Sequence, residues 1–313
     1  MNTYDVSVVV LTYNSDYQKT IKTINSVLNQ KNCSFEILIA DDGSKNNNFD
    51  NLENYFKSVN FTDYKFIGDG INKGTYTNLY NALNVAKGKY IKPISPGDYL
   101  YDSNTLSSLY LYSHNKNAKV SFGDAVYYYQ DENLKYYPNR HHPYFLRPYI
   151  KQNSKKIRNN YLISRDAILG AALFYEYDSL LEILNIFNGK VKYCEDSTIN
   201  IIAAKKMTIS YLNKPVIFYE SDSGISANKK GKWYNLIKED NRVVFQYLLE
   251  NKLISKAEFY KSFPKNIVQK IILTILLDFF NAFRKKITFC DTKTKKMPAD
   301  LSEKLYRITE LSR

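Results

Sequence analysis

Apolar and polar residues alternate in blocks along the first hundred residues of this chain, and the spacing switches between that of strands and that of helices. Apolar runs at 6–11 and 35–40 end in polar turns, as strands buried on both faces do. Between them, apolar residues recur at helical spacing over 18–30. Further helices near 49–58 and 76–86 and strands near 64–67 and 90–94 continue the alternation. This pattern predicts an α/β fold with a mostly parallel central sheet flanked by helices.

After the first hundred residues the regular alternation of strands and helices gives way to longer helical stretches. Helices are predicted at 104–112, 179–187 and 199–206, a strand at 120–129, and a pair of strands around Pro215. Beyond residue 225 the chain is almost entirely helical, with helices at 233–251, 256–263 and 265–286. The tail helix starts near Asp300, where Asp300 and Glu303 have the spacing of a capping box. We therefore predict a main domain over 1–225 and a C-terminal helical appendage over 226–313.

Polar residues gather where the predicted strands end. A Thr-Tyr-Asn turn follows the first strand at 12–14, two carboxylates at 41 and 42 follow the second, and a glycine-containing loop at 68–75 follows the third. Ligands of open α/β sheets bind at this edge, so the paired carboxylates are placed to hold the sugar or base of a nucleotide. An ordinary Asx-type turn explains residues 41–44 equally well.

Charge and cysteine content narrow the class of protein. The formal charge of +13 and the pI of about 9.3 predict an anionic partner: nucleic acid, a diphosphate ligand or an acidic membrane leaflet. No recognisable nucleic-acid-binding motif accompanies the charge, so we expect no nucleic-acid partner. Cys33, Cys194 and Cys290 are far apart, which favours a reducing compartment. The chain opens without the pattern of a secretory peptide, so we expect a cytoplasmic protein.

The order of these motifs is similar to that of a known family. The Thr-Tyr-Asn turn, the Asp-Asp-Gly-Ser ending, Asn72 with Gly74, the helix with Asn78 and the Ala-Lys-Gly-Lys-Tyr-Ile run at 86–91 resemble the nucleotide-binding half of the family 2 inverting glycosyltransferases, whose fold is called GT-A. The resemblance covers residues 5–105. It implies a nucleotide-binding half over 1–105, an acceptor-binding half over 106–225, and a nucleotide site lined by Thr12, Tyr13, Asn14, Asp41, Asp42, Asp69, Asn72, Gly74 and Asn78.

The chain departs from the family after the strand at 90–94. An Asp-x-Asp usually stands there and binds Mg or Mn, which bridges the donor diphosphate. Here the run is Ser95-Pro96-Gly97-Asp98, and these residues are implied to face the diphosphate and donor sugar. Asp98 with diphosphate and water could hold a divalent ion. Alternatively, lysines neutralise the leaving group. We expect a divalent metal at Asp98.

The resemblance also places a catalytic base in the second half. Glu195 and Asp196 open a predicted helix, which simple capping explains. The family, however, has its base in a Glu-Asp pair at this point, so Asp196 is implied to be the base with Glu195 beside it. Lys229, Lys230 and Lys232 belong either to a loop that neutralises the diphosphate or to a solvated linker. The two histidines at 141 and 142 lack partners at metal-ligand spacing, which argues against a metal site there. The resemblance implies that the region between the halves lines the acceptor, and the acceptor site is assigned to His141, His142 and Trp233.

The apolar helix predicted at 265–286 is flanked by basic residues. Its apolar stretch of seventeen residues would span about 25 Å, short of a bilayer core of about 30 Å. It is interpreted as an interfacial membrane helix or a dimer contact, with a buried core helix as the alternative.

Together these features predict an inverting glycosyltransferase that moves a sugar from a UDP-sugar to a hydroxyl of a capsule or cell-wall glycan or of a lipid-linked acceptor. We expect it to attach peripherally to the inner face of the plasma membrane. The alternative is a degenerate GT-A fold that serves as a binding or scaffold protein.

Overall fold

The computed structural model describes residues 3–130, 134–221, 232–288 and 293–311, with the side chains of 232 and 280–288 excepted. The strands are β1 (Tyr4–Thr12), β2 (Phe35–Asp41), β3 (Tyr64–Ile67), β4 (Gly88–Ile94), β5 (Tyr99–Leu100), β6 (Val120–Gln130), β7 (Leu134–Tyr136), β8 (Leu173–Glu176), β9 (Ile209–Glu220) and β10 (Lys295–Lys296). The helices are α1 (Tyr17–Leu28), α2 (Phe49–Ser58), α3 (Thr75–Leu83), α4 (Thr105–Lys116), α5 (Arg147–Ile150), α6 (Ser154–Arg158), α7 (Tyr177–Phe187), α8 (Thr198–Ala204), α9 (Lys232–Glu250), α10 (Lys256–Ser262), α11 (Ile267–Thr288) and α12 (Ala299–Thr309).

One mixed sheet organises the chain. Its order is β10-β7-β6-β8-β4-β1-β2-β3, and β9 joins it by pairing with β6 and β5. Strands β3, β2, β1 and β4 are parallel to one another, β8 is antiparallel to β4 and β6, and β9 is parallel to β6. The predicted α/β architecture with a mostly parallel sheet and flanking helices is confirmed.

The central strands are buried because they carry apolar side chains on both faces. Every residue from Val6 to Thr12 in β1 and from Glu36 to Asp41 in β2 is buried. Helix crossovers cover both faces of such a parallel sheet, which is why these strands are nearly continuous apolar runs. Their carboxyl ends therefore lie side by side at one edge of the sheet.

Two local predictions were wrong. Residues 209–220 form one strand rather than two, because Pro215 lies at a bulge where the register with β6 shifts and no ladder N–H is needed. The capping box of α12 is absent: Pro298 is the N-cap residue, no side chain caps the helix, and Glu303 pairs with Arg307 instead.

The helices after residue 232 pack against the main domain. Val244, Phe245 and Leu248 of α9 and Phe259 of α10 belong to the same buried core as the central strands. Helix α12 lies on α1, where the Asn25 side-chain amide donates to the Thr309 carbonyl over 2.8 Å. None of the helices in the described ranges is long and apolar enough to cross a membrane.

Candidate active site

The first carboxylate after β2 organises two strand ends. The Thr12 hydroxyl donates to Asp41 Oδ2 over 3.0 Å, and the Ser44 N–H donates to Oδ1 over 2.8 Å. The Ser44 hydroxyl also donates to Oδ2 and in turn accepts the Asn14 N–H over 2.6 Å. Asn14 has φ +47°, the left-handed region that asparagine tolerates best after glycine. Asp41 thus fixes the shape of the loops that follow β1 and β2.

The second carboxylate holds the loop that leads into α3. Asp42 accepts the N–H groups of Lys73, over 2.7 Å, and Gly74, over 2.9 and 3.0 Å. Burial raises the pKa of Asp42, while these amides and the nearby Lys192 ammonium oppose the rise. The Asn78 side-chain amide donates to the Ala40 carbonyl over 2.7 Å, which ties α3 to the same strand end.

Three other predicted nucleotide residues lie around this framework with more exposure. The Tyr13 side chain is 48% exposed and the half-buried Asn72 packs its backbone beneath Gly43. Asp69 is exposed and pairs with Lys73. The nine predicted nucleotide residues therefore lie at one sheet edge, where the buried ones hold the loops together and Tyr13, Asn14 and Asp69 are exposed.

Gly74 joins this edge to the segment that leads to α8. At φ +91° its backbone comes so close to Lys192 that a Cβ would lie 2.2 Å from the Lys192 carbonyl oxygen. That carbonyl accepts the Tyr76 N–H over 3.0 Å. On its other side the segment is held by Asp240 of α9, which accepts the N–H groups of Lys192 and Tyr193 over 3.2 and 2.6 Å.

Glu195 and Asp196 follow on a single 3-10 turn before α8, both half-buried. Burial, together with the charge of Asp196, raises the pKa of Glu195 to about 8. Burial also raises the pKa of Asp196, but the Arg165 guanidinium opposes the rise. Two neighbouring carboxyl groups that resist ionising together favour one shared proton, held by Glu195, and one carboxylate at Asp196. A Cβ on Gly170 would lie 3.5 Å from Asp196 Oδ2, so no bulky group covers the carboxylate on that side.

The turn after β4 contains one carboxylate, and it points inward. Asp98 is 7% exposed and its Oδ1 accepts the Glu220 N–H over 3.1 Å. Burial raises the pKa of Asp98 to about 7, against the opposing charge of Lys92. Ser95 is exposed at the start of the turn, and Gly97 offers no side chain.

The oxygen donors of the 95–98 turn do not fit a divalent ion that is coordinated by carboxylates. Such an ion takes several oxygen ligands, usually including one or two carboxylates with free lone pairs. Among the described residues there is no group of three or more His, Cys, Asp or Glu side chains that could hold a metal.

Lys92 was missed by the sequence interpretation. It lies fully buried on β4, where its ammonium donates to the carbonyls of Pro93, Ala171 and Leu173 over 2.9, 2.5 and 3.3 Å. Burial lowers the pKa of Lys92 to about 7. A lysine flanked by the apolar residues Ile91 and Pro93 within a central strand was the available signal.

The residues assigned to the acceptor pack against two different tyrosines. The His141 and His142 rings pack against Tyr144, with ring centroids 5.8 and 4.7 Å away, so their environment is aromatic. The Trp233 ring packs against the Tyr193 ring, with centroids 4.9 Å apart. Tyr193 lies two residues before Glu195 in the chain. Lys229 and Lys230 lie outside the described residues, and Lys232 begins α9 without a described side chain.

Comparison with known proteins gives a family and a fold. A family model described as Glycosyl transferase family 2 matches residues 7–177. Over 158 residues the chain is 28% identical to WcaA of Escherichia coli, which carries the name of a colanic acid biosynthesis glycosyl transferase; the match covers 47% of this chain and 53% of that protein. The chain thus spans about half the length of the curated relative it matches.

Two crystal structures of S. aureus TarS, residues 1–349, are similar in fold. One has a TM-score of 0.55 and 19% identity and covers 91% of this chain and 77% of that one. The other, a complex with UDP-GlcNAc, has a TM-score of 0.56 and 18% identity and covers 97% and 79%. At these identities the likeness is one of fold.

Proposed function

Because this chain belongs to glycosyl transferase family 2, we propose that it transfers a sugar from a UDP-sugar, with inversion, to a hydroxyl of a cell-surface glycan or lipid-linked acceptor. One observation carries the proposal. The loop held by Asp42 and the segment that presents Asp196 touch at Gly74, so a nucleotide edge and a candidate base are built against each other.

The relatives support the choice of donor and acceptor. TarS was crystallised with UDP-GlcNAc, which supports a UDP-linked donor. The name of WcaA refers to colanic acid biosynthesis, which supports a glycan product. The basic charge of the chain suits a diphosphate donor.

The proposed reaction is a direct displacement. Asp196 takes the proton from the acceptor hydroxyl while that oxygen attacks the anomeric carbon and UDP leaves from the opposite face. Glu195, which keeps its own proton, leaves Asp196 as the only ionised member of the pair. The Asp41 and Asp42 loops fix the nucleotide, so the reacting atoms are brought into line.

A panel of nucleotide-sugars tests this proposal. We expect slow hydrolysis of at least one UDP-sugar and little of GDP- or dTDP-sugars, measured as released nucleotide. Tight UDP binding without hydrolysis of any donor, and without transfer to any glycan acceptor, would favour the scaffold alternative.

We also propose that α11 attaches the protein to the inner face of the plasma membrane. Six apolar side chains before a kink at Asp278 are each at least half exposed and recur with helical spacing on one face: Ile267, Val268, Ile271, Ile272, Ile275 and Leu276. Phe279, directly after the kink, is also more than half exposed. Full burial of such a side chain contributes about 1.5–3 kcal/mol, so covering the exposed half of each would contribute about 1 kcal/mol more. A face of this kind marks an interaction surface.

The acidic residue of α11, Asp278, is turned toward the protein. Asp278, 7% exposed, accepts the Ser164 hydroxyl over 2.5 Å and pairs with Lys261 over 2.9 Å. It is the only acidic residue between 259 and 290, whereas that stretch contains six lysines and arginines. Two copies of so basic a helix would repel each other, which favours an anionic lipid surface over a homodimer.

Liposome sedimentation tests the membrane proposal. We expect Ile272→Glu and the double change Lys285→Glu with Lys286→Glu to reduce binding to anionic vesicles, with UDP-sugar hydrolysis unchanged. Leu111→Glu is the matched control, because Leu111 is 56% exposed on α4 as an isolated apolar residue. A wild type that ignores vesicles and forms a dimer, which Ile272→Glu converts to a monomer, would show that the face is an oligomer contact.

A further inference from the structure

The turn at 95–98 leaves a space that a carboxylate from another strand fills. Gly97 has φ +100°, and a Cβ built on it would lie 2.6 Å from Glu220 Oε2 at the end of β9. The Glu220 carboxylate therefore lies where a side chain at position 97 would begin. A carboxylate is present beside the turn, but it comes from β9 and it is already paired.

Its partner is Lys19. The Lys19 ammonium lies 2.6 and 2.7 Å from the two oxygens of Glu220. The Glu220 side chain is 10% exposed, whereas that of Lys19 is 43% exposed. The pair thus has a buried acidic end and an accessible basic end.

The position of Lys19 puts this ammonium at the nucleotide edge. Helix α1 begins five residues after the end of β1, and β4 pairs directly with β1. Thr23, one turn beyond Lys19, accepts the Gly97 N–H over 3.1 Å and donates to the Asp98 carbonyl over 3.0 Å. The second turn of α1 therefore packs against the 95–98 turn, and Lys19 lies one turn before this contact.

A lysine in the first turn of a helix is unfavourable for the helix itself. The positive end of the helix dipole disfavours a cation there by about 0.3–1 kcal/mol. Helix stability therefore does not explain Lys19. The ion pair with Glu220 holds the ammonium in place, and its exposed side remains accessible to an anionic ligand at this edge.

We propose that the Lys19 ammonium, oriented by Glu220, contacts the diphosphate of the donor and neutralises it as it leaves, so that transfer proceeds without a divalent metal. The inference rests on the proposed function. The bond from the anomeric carbon to the β-phosphate oxygen breaks and its electron pair stays on UDP. The acceptor oxygen forms the new bond, its proton goes to Asp196, and Lys19 remains protonated throughout.

Calorimetry in EDTA tests the contact independently of turnover. We expect Lys19→Met to weaken UDP binding by roughly 10-fold and uridine binding by less than 2-fold, with Lys19→Arg close to the wild type. Lys22→Met is the matched control, an exposed lysine on the same helix. Equal loss of UDP and uridine affinity would show that Lys19 only supports the fold, and unchanged UDP affinity would also overturn the proposal.

Turnover separates this inference from the proposed function. With a UDP-sugar substrate, EDTA should leave wild-type hydrolysis within about 2-fold, and Lys19→Met should lower it by roughly 10²-fold, the scale for loss of one charge-stabilising group. Two results would refute the metal-free reaction and leave the transferase assignment intact. One is hydrolysis that stops in EDTA and returns with Mn²⁺; the other is Mn²⁺ binding, detected by EPR, that Glu220→Gln abolishes. Absence of hydrolysis with every donor would instead contradict the proposed function, and the UDP–uridine comparison would still decide the contact.

Discussion

Replacing Gly74 with alanine should show how tightly the nucleotide edge and the base-bearing segment are joined. At φ +91° a side chain costs about 1–2 kcal/mol in backbone strain. The new Cβ would also lie 2.2 Å from the Lys192 carbonyl oxygen and 2.3 Å from Lys192 Cγ. The carbonyl cannot withdraw without losing its hydrogen bond to Tyr76, so overpacking adds about 1–3 kcal/mol.

Gly70 provides the control in the same loop. It has φ +76°, and a Cβ there would meet nothing within 4 Å, so Gly70→Ala carries the strain alone. Gly74→Ala carries the overpacking in addition to the strain. It should therefore lower the melting temperature, measured by calorimetry, by roughly 2–6 °C more than Gly70→Ala does. Because the clash displaces residues leading to Asp196, donor hydrolysis should fall with it. Equal melting temperatures and equal activity for the two variants would refute the proposed coupling.

Two further predictions concern buried charges. The pKa of Glu195 is raised from 4.5 to about 8, so the folded state holds a proton that the unfolded state has released between these values. The free energy of unfolding should therefore fall as pH rises from about 4.5 to about 8, and Glu195→Gln should flatten that dependence in urea titrations; an unchanged slope would contradict the buried environment. Asp278→Ala should cost about 3–5 kcal/mol, because it removes the carboxylate partner of Lys261, whose side chain is 10% exposed and would keep its hydrogen bond to the Ile163 carbonyl. The exposed Glu53–Lys57 pair is the comparison, with Glu53→Ala costing less than about 1 kcal/mol, and equal costs would count against the anchoring of α11.

The family and the GT-A fold were predictable because local patterns and global topology agree in the first hundred residues, and both predictions are confirmed. Periodicity identified β1, α1 and β2, and the polar strand ends predicted which loops meet at one edge of the sheet. The sequence does not show which carboxylates accept hydrogen bonds from the protein itself and which remain available to a ligand. Asp41 and Asp42 are both acceptors of internal hydrogen bonds, which depends on how separate loops meet.

The remaining surprises are contacts between residues far apart in the chain. Lys19 and Glu220 are 201 positions apart, and no local pattern links them. Gly74 was implied to line the nucleotide site, but its close approach to Lys192, which is what requires glycine, depends on a segment more than a hundred residues later. Helix α11 was recognisable as apolar, but only the fold shows that its acidic residue faces inward and its apolar face outward.

The role of Asp196 is the most direct test of the account. Asp196→Asn keeps the size of the side chain and removes its ability to accept a proton, so we predict UDP affinity within a few-fold of the wild type and turnover lower by at least roughly 10²-fold. Glu195→Gln, which replaces a group already protonated, should be milder. Turnover of Asp196→Asn and UDP affinity should be measured on the same preparation. Normal turnover with intact UDP binding would contradict the assignment of Asp196 as the base.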